Sequence, residues 1–301
     1  MKKCTAFVLG VLMTSLACAQ QFSEKITKEY TFEKKTADNT VMVANMNGNV
    51  KVAGYEGDKI MLEVTRTIFA KTEARLEKGK QEVQLGLIDR ADTLIFYTEF
   101  GCNTFGRKFD YNKKDKWNNG GWGYNWDCNN NNRNCRPEYD HKMDFVLKVP
   151  ANVHVIVSTI NDGDISVENM KGSVDANNIN GSIRLANLVR EAEASTINGD
   201  VDIEYTINPV QDCRFYTLNG DINALFQKGL VASLSFESFN GSFYTNIDKM
   251  TLLPAKVEKS EKGDGIRYKV HGNRYQVGNG GGAFLDFETF NGNVYLKEKT
   301  N

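Results

Sequence analysis

Short alternations of apolar and polar residues dominate the chain, as in Ile165-Ser166-Val167 and Val201-Asp202-Ile203. A period of two puts successive side chains on opposite faces of a half-buried strand. The same reading predicts strands over Val41–Val52, Lys59–Thr67, Val83–Ile88 and Thr93–Phe100, with a turn near Asp89–Asp92. Lys71–Gln81 is predicted as a helix, weakened by Gly79 because glycine costs helix stability. Two stretches break the pattern: residues 101–140, and residues 248–283, which end in Gly278-Asn279-Gly280-Gly281-Gly282.

Seven glycine turns share one local pattern. Their Asn and Gly residues are Asn47 and Gly48, Asn161 and Gly163, Asn180 and Gly181, Asn198 and Gly199, Asn219 and Gly220, Asn240 and Gly241, and Asn291 and Gly292. An apolar residue precedes each Asn, and Thr, Ser or Asn stands before that. Asp, Ser or Asn follows the Gly, and an apolar residue comes next. Only the Asn161 copy deviates, with Asp162 inserted. Asn-Gly tolerates positive φ, so the chain can turn sharply there. A hairpin is the simplest reading of one such turn. The spacing argues for more: the glycines at 163, 181, 199, 220 and 241 lie 18, 18, 21 and 21 residues apart.

A fixed period near twenty predicts a solenoid, each coil holding two short strands and two turns. The second turns are expected near Lys171-Gly172, Asn208-Pro209 and Lys228-Gly229. With coils about 4.8 Å apart, the inward ladder would be Ile165, Ile183, Val201, Ile222 and Phe243. The asparagines and the Thr or Ser near them would stack in hydrogen-bonded rows at the corner. A repeated calcium site would instead need a glycine-rich nonapeptide with alternate Asp, which the chain lacks. The expected fold is all-β: a single-stranded parallel β-helix or β-solenoid with an N-terminal strand–helix–strand elaboration. Residues 20–301 form one domain in this reading, carrying the 101–140 and 248–283 inserts.

Residues 1–19 read as a secretory signal. Lys2 and Lys3 precede an apolar run, Ala6 to Leu16, and Ala17-Cys18-Ala19 is a small-residue cleavage site. The competing reading is a lipoprotein signal acylated at Cys18, against which Ser15 stands where a branched apolar residue is usual. No other segment approaches the length of a membrane span. The expectation is therefore export to the periplasm, the outer-membrane surface or the medium. With 37 basic and 38 acidic residues the formal charge is −1, too weak a field to hold a phosphate backbone, so nucleic acid is not an expected partner.

Outside the signal lie Cys102, Cys128, Cys135 and Cys213, and an even number in an oxidising compartment favours disulfides. Cys128–Cys135 is the natural local pair and Cys102–Cys128 the alternative; free buried thiols or a metal site remain open. The metal reading is the weakest, because there is no C-x-x-C and His141 lacks a second histidine at ligand spacing.

The strand–turn–strand start, the helix after Val64-Thr65-Arg66 and the repeated [Thr/Ser/Asn]-apolar-Asn-Gly-[Asp/Ser/Asn]-apolar run resemble a bacterial putative-adhesin domain family of unknown function. The resemblance covers about residues 30–100 and 141–298. It implies an envelope-associated β-solenoid and offers no catalytic residues to carry over.

The 101–140 insert departs from that family's pattern and is the leading candidate for a binding role. It holds Trp117, Trp122 and Trp126, with Tyr111 and Tyr124 beside them. Eight of the seventeen residues from Asn118 to Asn134 are asparagine, so aromatic faces sit beside amide donors and acceptors. That mixture suits sugar rings, or an anchor on a protein surface; the bland alternative is a polar loop packing back on the solenoid. Enzyme readings find less support. Asn161-Asp162-Gly163-Asp164 matches one piece of a polygalacturonase pattern, but the accompanying Asp-Asp pair and Gly-His-Gly are absent. Asp200 and Asp221 read as solvated corner carboxylates, and His141, His154 and His271 are isolated. The expectation is an exported, non-catalytic, adhesin-like protein with no cofactor, whose ligand is a glycan or an envelope or surface protein. An envelope structural or stress-sensing component is the alternative, and a polysaccharide-acting enzyme comes third.

Overall fold

A computed structural model describes residues 20–101, 103–105, 124–126, 137–254, 257–262, 265–270, 273–279 and 281–300. Among these the chain is nearly all strand, with one helix. The first part runs β1 (Gln20–Tyr30), β2 (Thr40–Ala44), β3 (Val50–Tyr55), β4 (Ile60–Ala70), α1 (Glu73–Glu82), β5 (Gln84–Asp89), β6 (Thr93–Glu99), β7 (Asn103–Phe105), β8 (Tyr124–Trp126) and β9 (Asp140–Pro150). The middle follows as β10 (His154–Ser158), β11 (Ile165–Glu168), β12 (Val174–Asn177), β13 (Ile183–Leu188), β14 (Ala192–Asn198), β15 (Val201–Tyr205), β16 (Cys213–Asn219) and β17 (Ile222–Phe226). The end comprises β18 (Ala232–Asn240), β19 (Phe243–Thr245), β20 (Met250–Leu253), β21 (Val257–Lys262), β22 (Gly265–Val270), β23 (Asn273–Val277), β24 (Ala283–Asn291) and β25 (Val294–Glu298).

Two large mixed sheets carry the fold. One has the order β1-β4-β9-β3-β11-β13-β15-β17-β25-β19, the other β20-β23-β18-β24-β16-β14-β12-β10-β2-β6-β5. Each Asn-Gly turn crosses from the second sheet to the first, so one strand of each sheet and the corner between them make one layer. Layers pair in parallel and in register: Val50, Ile165, Ile183, Val201, Ile222 and Val294 lie side by side. All six are at most 1% exposed. Opposite them, Val157, Ala176, Ala194, Phe215 and Phe287 form the facing row. Each such side chain contributes about 1.5–3 kcal/mol on burial, which no layer obtains alone.

Two expectations need correcting. The stack is not wholly parallel. At one end β4 pairs antiparallel with β9 and with β1, and β5 pairs antiparallel with β6. At the other, β23 pairs antiparallel with β18 and β20. Second, Phe243 does not follow Ile222 in the ladder. The chain leaves β19, runs through the 248–283 excursion and returns as β24 and β25, which slot between the layers of β16–β17 and β18–β19. Val294 therefore separates Ile222 from Phe243, which is only half-buried and packs on Phe236 and Tyr275. The turn expected at Asn47-Gly48 divides Val41–Val52 into β2 and β3, which lie in different sheets.

The predicted helix forms one or two residues later than expected, capped by the Thr72 hydroxyl accepting from Arg75 N–H. Leu76 and Gly79 face β4, and a Cβ at Gly79 would crowd Ile68 and Tyr139. Arg66 on β4 donates to the carbonyls of Lys80 and Val83 at the helix C-terminus, where the dipole favours a cation, and pairs with Glu24 at 2.8 Å.

Candidate functional site

The corner where the layers turn is built by three hydrogen-bonded rows. In the first, each asparagine amide donates to the previous layer: Asn161 to Asn47, Asn180 to Asn161, Asn198 to Asn180, Asn219 to Asn198, Asn291 to Asn219 and Asn240 to Asn291, at 2.7–3.2 Å. In the second, the Thr or Ser hydroxyl donates to the preceding layer's glycine carbonyl, as Thr217 does to Gly199 and Thr289 to Gly220. In the third, the residue after each glycine accepts the backbone N–H of its counterpart: Asp164 from Ser182, Asp200 from Asp221, and Asp221 from Asn293. Asp200 and Asp221 thus serve as backbone acceptors here. Glycine is required because the layers touch. Gly220 has φ +158°, and a Cβ there would collide with the Gly199 carbonyl.

The register explains where the 101–140 insert sits. β6 lies beside β2 and β9 beside β3, so the chain leaves the second sheet after Glu99 and enters the first at Asp140, the same crossing that the Asn-Gly corners make in the neighbouring layers. All three rows run into the insert's flanks. Asn45 Nδ2 donates to the Met143 carbonyl at 2.8 Å, Asp144 Oδ1 accepts from Asn49 N–H at 2.8 Å, and Asn47 Nδ2 meets His141 Nε2 at 3.3 Å, while Thr98 donates to Asn45 Oδ1 at 2.9 Å. Thr98-Glu99-Phe100-Gly101 is a partial eighth copy of the turn, with Thr98 and Gly101 kept but Glu99 in the apolar position and Phe100 in the asparagine position. It escaped the sequence reading because the rest of its motif resumes only at Asp144. Desolvation pushes the His141 imidazole down to about 4, against a weaker opposing pull from Asp140. The neutral ring packs on Phe100 with centroids 4.3 Å apart.

Trp117, Trp122, Tyr111, Cys102, Cys128, Cys135 and His271 lie outside the described residues. Tyr124 and Trp126 belong to β8, which pairs antiparallel with β7, Phe105 opposite Tyr124 and Asn103 opposite Trp126. Phe105 is buried on Tyr97, with ring centroids 5.0 Å apart. The insert therefore begins by covering the outer face of the second sheet. For Cys213 the disulfide expectation is corrected. It is a free, buried thiol 3.3 Å from the Tyr205 hydroxyl, and burial raises the thiol's pKa. His154 is half-buried on β10 against Ser173. Among the described residues no three His, Cys, Asp or Glu side chains converge as a metal site, and no helix is long and apolar enough to cross a membrane.

The structure brings together a surface that the sequence reading did not single out. Met46 apart, which is buried in the core, the apolar residue before each asparagine lies on the outer side, giving a row of Ile160, Ile179, Ile197, Leu218, Phe290 and Phe239 beside the amide row. Its exposure is greatest in the last two layers, 44% at Phe290 and 74% at Phe239. Those two rings stack 4.8 Å apart and 4° from parallel. Across the corner Tyr244 and Tyr295 stack at 5.0 Å and 11°. Two aromatic pairs thus flank the asparagines of the last two layers. The signal was present: only these two copies carry Phe before Asn and Tyr four residues after it.

A shallow 280 Å³ hollow lies on the same outer face, lined by Asn177, Glu193, Ser195, Arg214 and Tyr216. Beside it Asp175 faces Glu193 on the next layer. Burial, then the Glu193 carboxylate, push its carboxyl up to about 6, with Asn177 opposing.

No protein-family model matches this chain, and no curated relative matches it either. A solved structure of a putative cell adhesion protein from Clostridium sporogenes is similar at 12% identity and a TM-score of 0.42, over 92% of this chain and 100% of that one. A putative lipid binding protein from Parabacteroides distasonis is similar at 10% identity and a TM-score of 0.22, over 91% and 97% of the respective chains. Likenesses this distant assign neither fold family nor role, so the functional argument stays with the chain's own geometry.

Proposed function

We propose that this protein is an exported, non-catalytic, adhesin-like binding protein of the bacterial envelope, built as a β-solenoid whose corner and insert form the recognition surface. The solenoid reading is supported by layer-to-layer register: the strands of successive Asn-Gly turns pair in parallel through both sheets, with one register shift between Leu185 and Leu188. Export is supported by the charged and apolar leader at residues 1–19. The observation that carries the binding role is the exposed corner. Phe239, Phe290 and Tyr244 are 74%, 44% and 49% exposed in positions where other copies of the turn hold aliphatic or polar residues. Aromatic surface left in water at no structural need marks an interaction site. Next to a row of amides it suits a glycan or a protein surface.

The test is binding to a glycan array and to envelope extract by three proteins: the chain without residues 1–19, a 101–140 deletion, and a Phe239→Ser/Phe290→Ser variant. Loss of binding in either variant, with the fold retained, supports the proposal and locates the surface. No specific binding by the parent protein, or equal binding by all three, defeats it.

A further inference from the structure

The two ends of the stack are finished differently. At the insert end, antiparallel strands cover both sheets at full length: β4 lies along Asp140–Lys148 of β9, and β5 along Leu94–Glu99 of β6. At the other end β23 covers only Ala232–Phe236 of β18, and β19 is the edge of its sheet. From Glu237 to Thr245, which includes the last Asn-Gly corner, no strand among the described residues lies on the far side; only the Phe243 ring is covered, by Phe236 and Tyr275. Asn240, Gly241, Ser242, Tyr244 and Thr245 are all exposed.

In the two layers before it this span is covered by the next one through the same groups. Gly220 N–H donates to the Asn291 carbonyl, and Gly292 N–H to the Asn240 carbonyl. Ile222 N–H donates to the Asn293 carbonyl, and Val294 N–H to that of Ser242. Ser238 donates to the Gly292 carbonyl, and Ser242 N–H to Asn293 Oδ1. The corresponding groups of the last layer are Gly241 N–H, Phe243 N–H, the Gly241 carbonyl, Asn240 Oδ1 and Ser242 Oγ. Among the described residues none of these has a partner of that kind. On either side Phe239 and Tyr244 each have one ring face stacked inward, on Phe290 and Tyr295, and are 74% and 49% exposed.

We infer that this uncovered layer is a docking seat for a strand–turn segment of another polypeptide, added in parallel as one further layer. The repeat fixes what such a segment carries: Ser or Thr, an aromatic residue, Asn-Gly, a polar residue, an apolar residue and Tyr. The hydroxyl meets the Gly241 carbonyl, the amide meets Asn240 Oδ1, and the aromatic side chains extend the two stacks. This is strand addition at a sheet edge, with main-chain bonds supplying affinity and the corner supplying selectivity. A head-to-tail second copy does not fit, because its opposite end is covered along both sheets. The inference rests on the solenoid reading and specifies the protein-binding branch of the proposed function.

The probe is a fluorescent synthetic peptide with the sequence of residues Glu288–Lys297, titrated against the protein without residues 1–19 and followed by anisotropy. Saturable binding is expected, weakened at least tenfold by Asn→Ala in the peptide, and at least tenfold by Phe239→Ser/Tyr244→Ser in the protein. Both changed side chains are exposed, so that variant should keep the parent's circular dichroism and a cooperative melt, lowered only by the loss of the two ring stacks. Absence of peptide binding, or equal binding by parent and variant, overturns the inference. So does concentration-dependent dimerisation that the variant abolishes, which would assign the edge to a second copy. If the peptide fails while glycan or envelope binding persists, the seat is wrong and the binding-protein proposal stands.

Discussion

His141 makes the stability of this protein depend on pH in a way that can be worked out beforehand. Its Nε2 ends the asparagine row and meets Asn47 Nδ2 at 3.3 Å, an arrangement that needs the neutral ring as acceptor. The imidazole is 7% exposed, and burial holds its pKa near 4. In the unfolded chain a histidine titrates near ~6.5. Between these values the unfolded state takes up a proton that the folded state refuses. The contribution is therefore complete above about pH 6.5 and is lost as pH falls towards 4. At pH 5.5 the loss is about 1.4 kcal/mol, and at pH 4.5 about 2.5 kcal/mol. Replacing His141 by Gln removes the titration and keeps an amide near the Asn47 side chain. Urea unfolding of parent and His141→Gln at pH 7, 5.5 and 4.5 isolates the effect, because other titrating groups are common to both. The gap between the two proteins should shift in favour of the variant by about 2.5 kcal/mol from pH 7 to 4.5. Parallel pH profiles would refute the reasoning and mean that His141 meets water in solution.

Other outcomes follow from the same packing. Asp175 runs opposite to His141: its folded-state pKa is raised to about 6, so its charge costs stability at pH 7 and the cost is relieved as pH falls. Asp175→Asn should stabilise the protein by about 1–2 kcal/mol at pH 7 and by almost nothing at pH 4, read from the same urea curves. Gly220→Ala, which drives a Cβ into the Gly199 carbonyl, should cost more than about 2 kcal/mol. Gly229→Ala, at φ +83° with nothing within 4 Å, should cost only the backbone strain of about 1 kcal/mol. Ile222→Ala, at 0% exposure in the middle of the inward ladder, should cost about 2–5 kcal/mol, whereas Phe239→Ser should cost no more than the aromatic pair's ~0.5–1.5 kcal/mol. Comparable losses at these two positions would place Phe239 in the core and undo the binding surface.

Much of the architecture was legible in the chain because the repeat acts locally. Asn-Gly turns at a period near twenty residues, flanked by alternating strands, lead to Ile165, Ile183, Val201 and Ile222 as one buried row. They also lead to the asparagines as a hydrogen-bonded corner, since identical short segments are covered by identical neighbours. The all-β class, the helix after β4 and the hairpin of β5 and β6 follow from period and turn chemistry of the same short range.

The order of the layers did not follow from the chain, and neither did the treatment of the ends. β24–β25 inserts ahead of β18–β19, and the 101–140 stretch replaces a corner whose two halves are Thr98–Gly101 and Asp144. Both depend on pairings between residues far apart in sequence, where any apolar strand of suitable length is acceptable locally and the packed whole selects among them. The exposure of Phe239 and Tyr244 has the same origin. Phe and Tyr mark this copy and the Phe290 copy in the sequence, but which of the two ends the stack, and so leaves one face of the Phe239 and Tyr244 rings in water, is decided by the strand pairing.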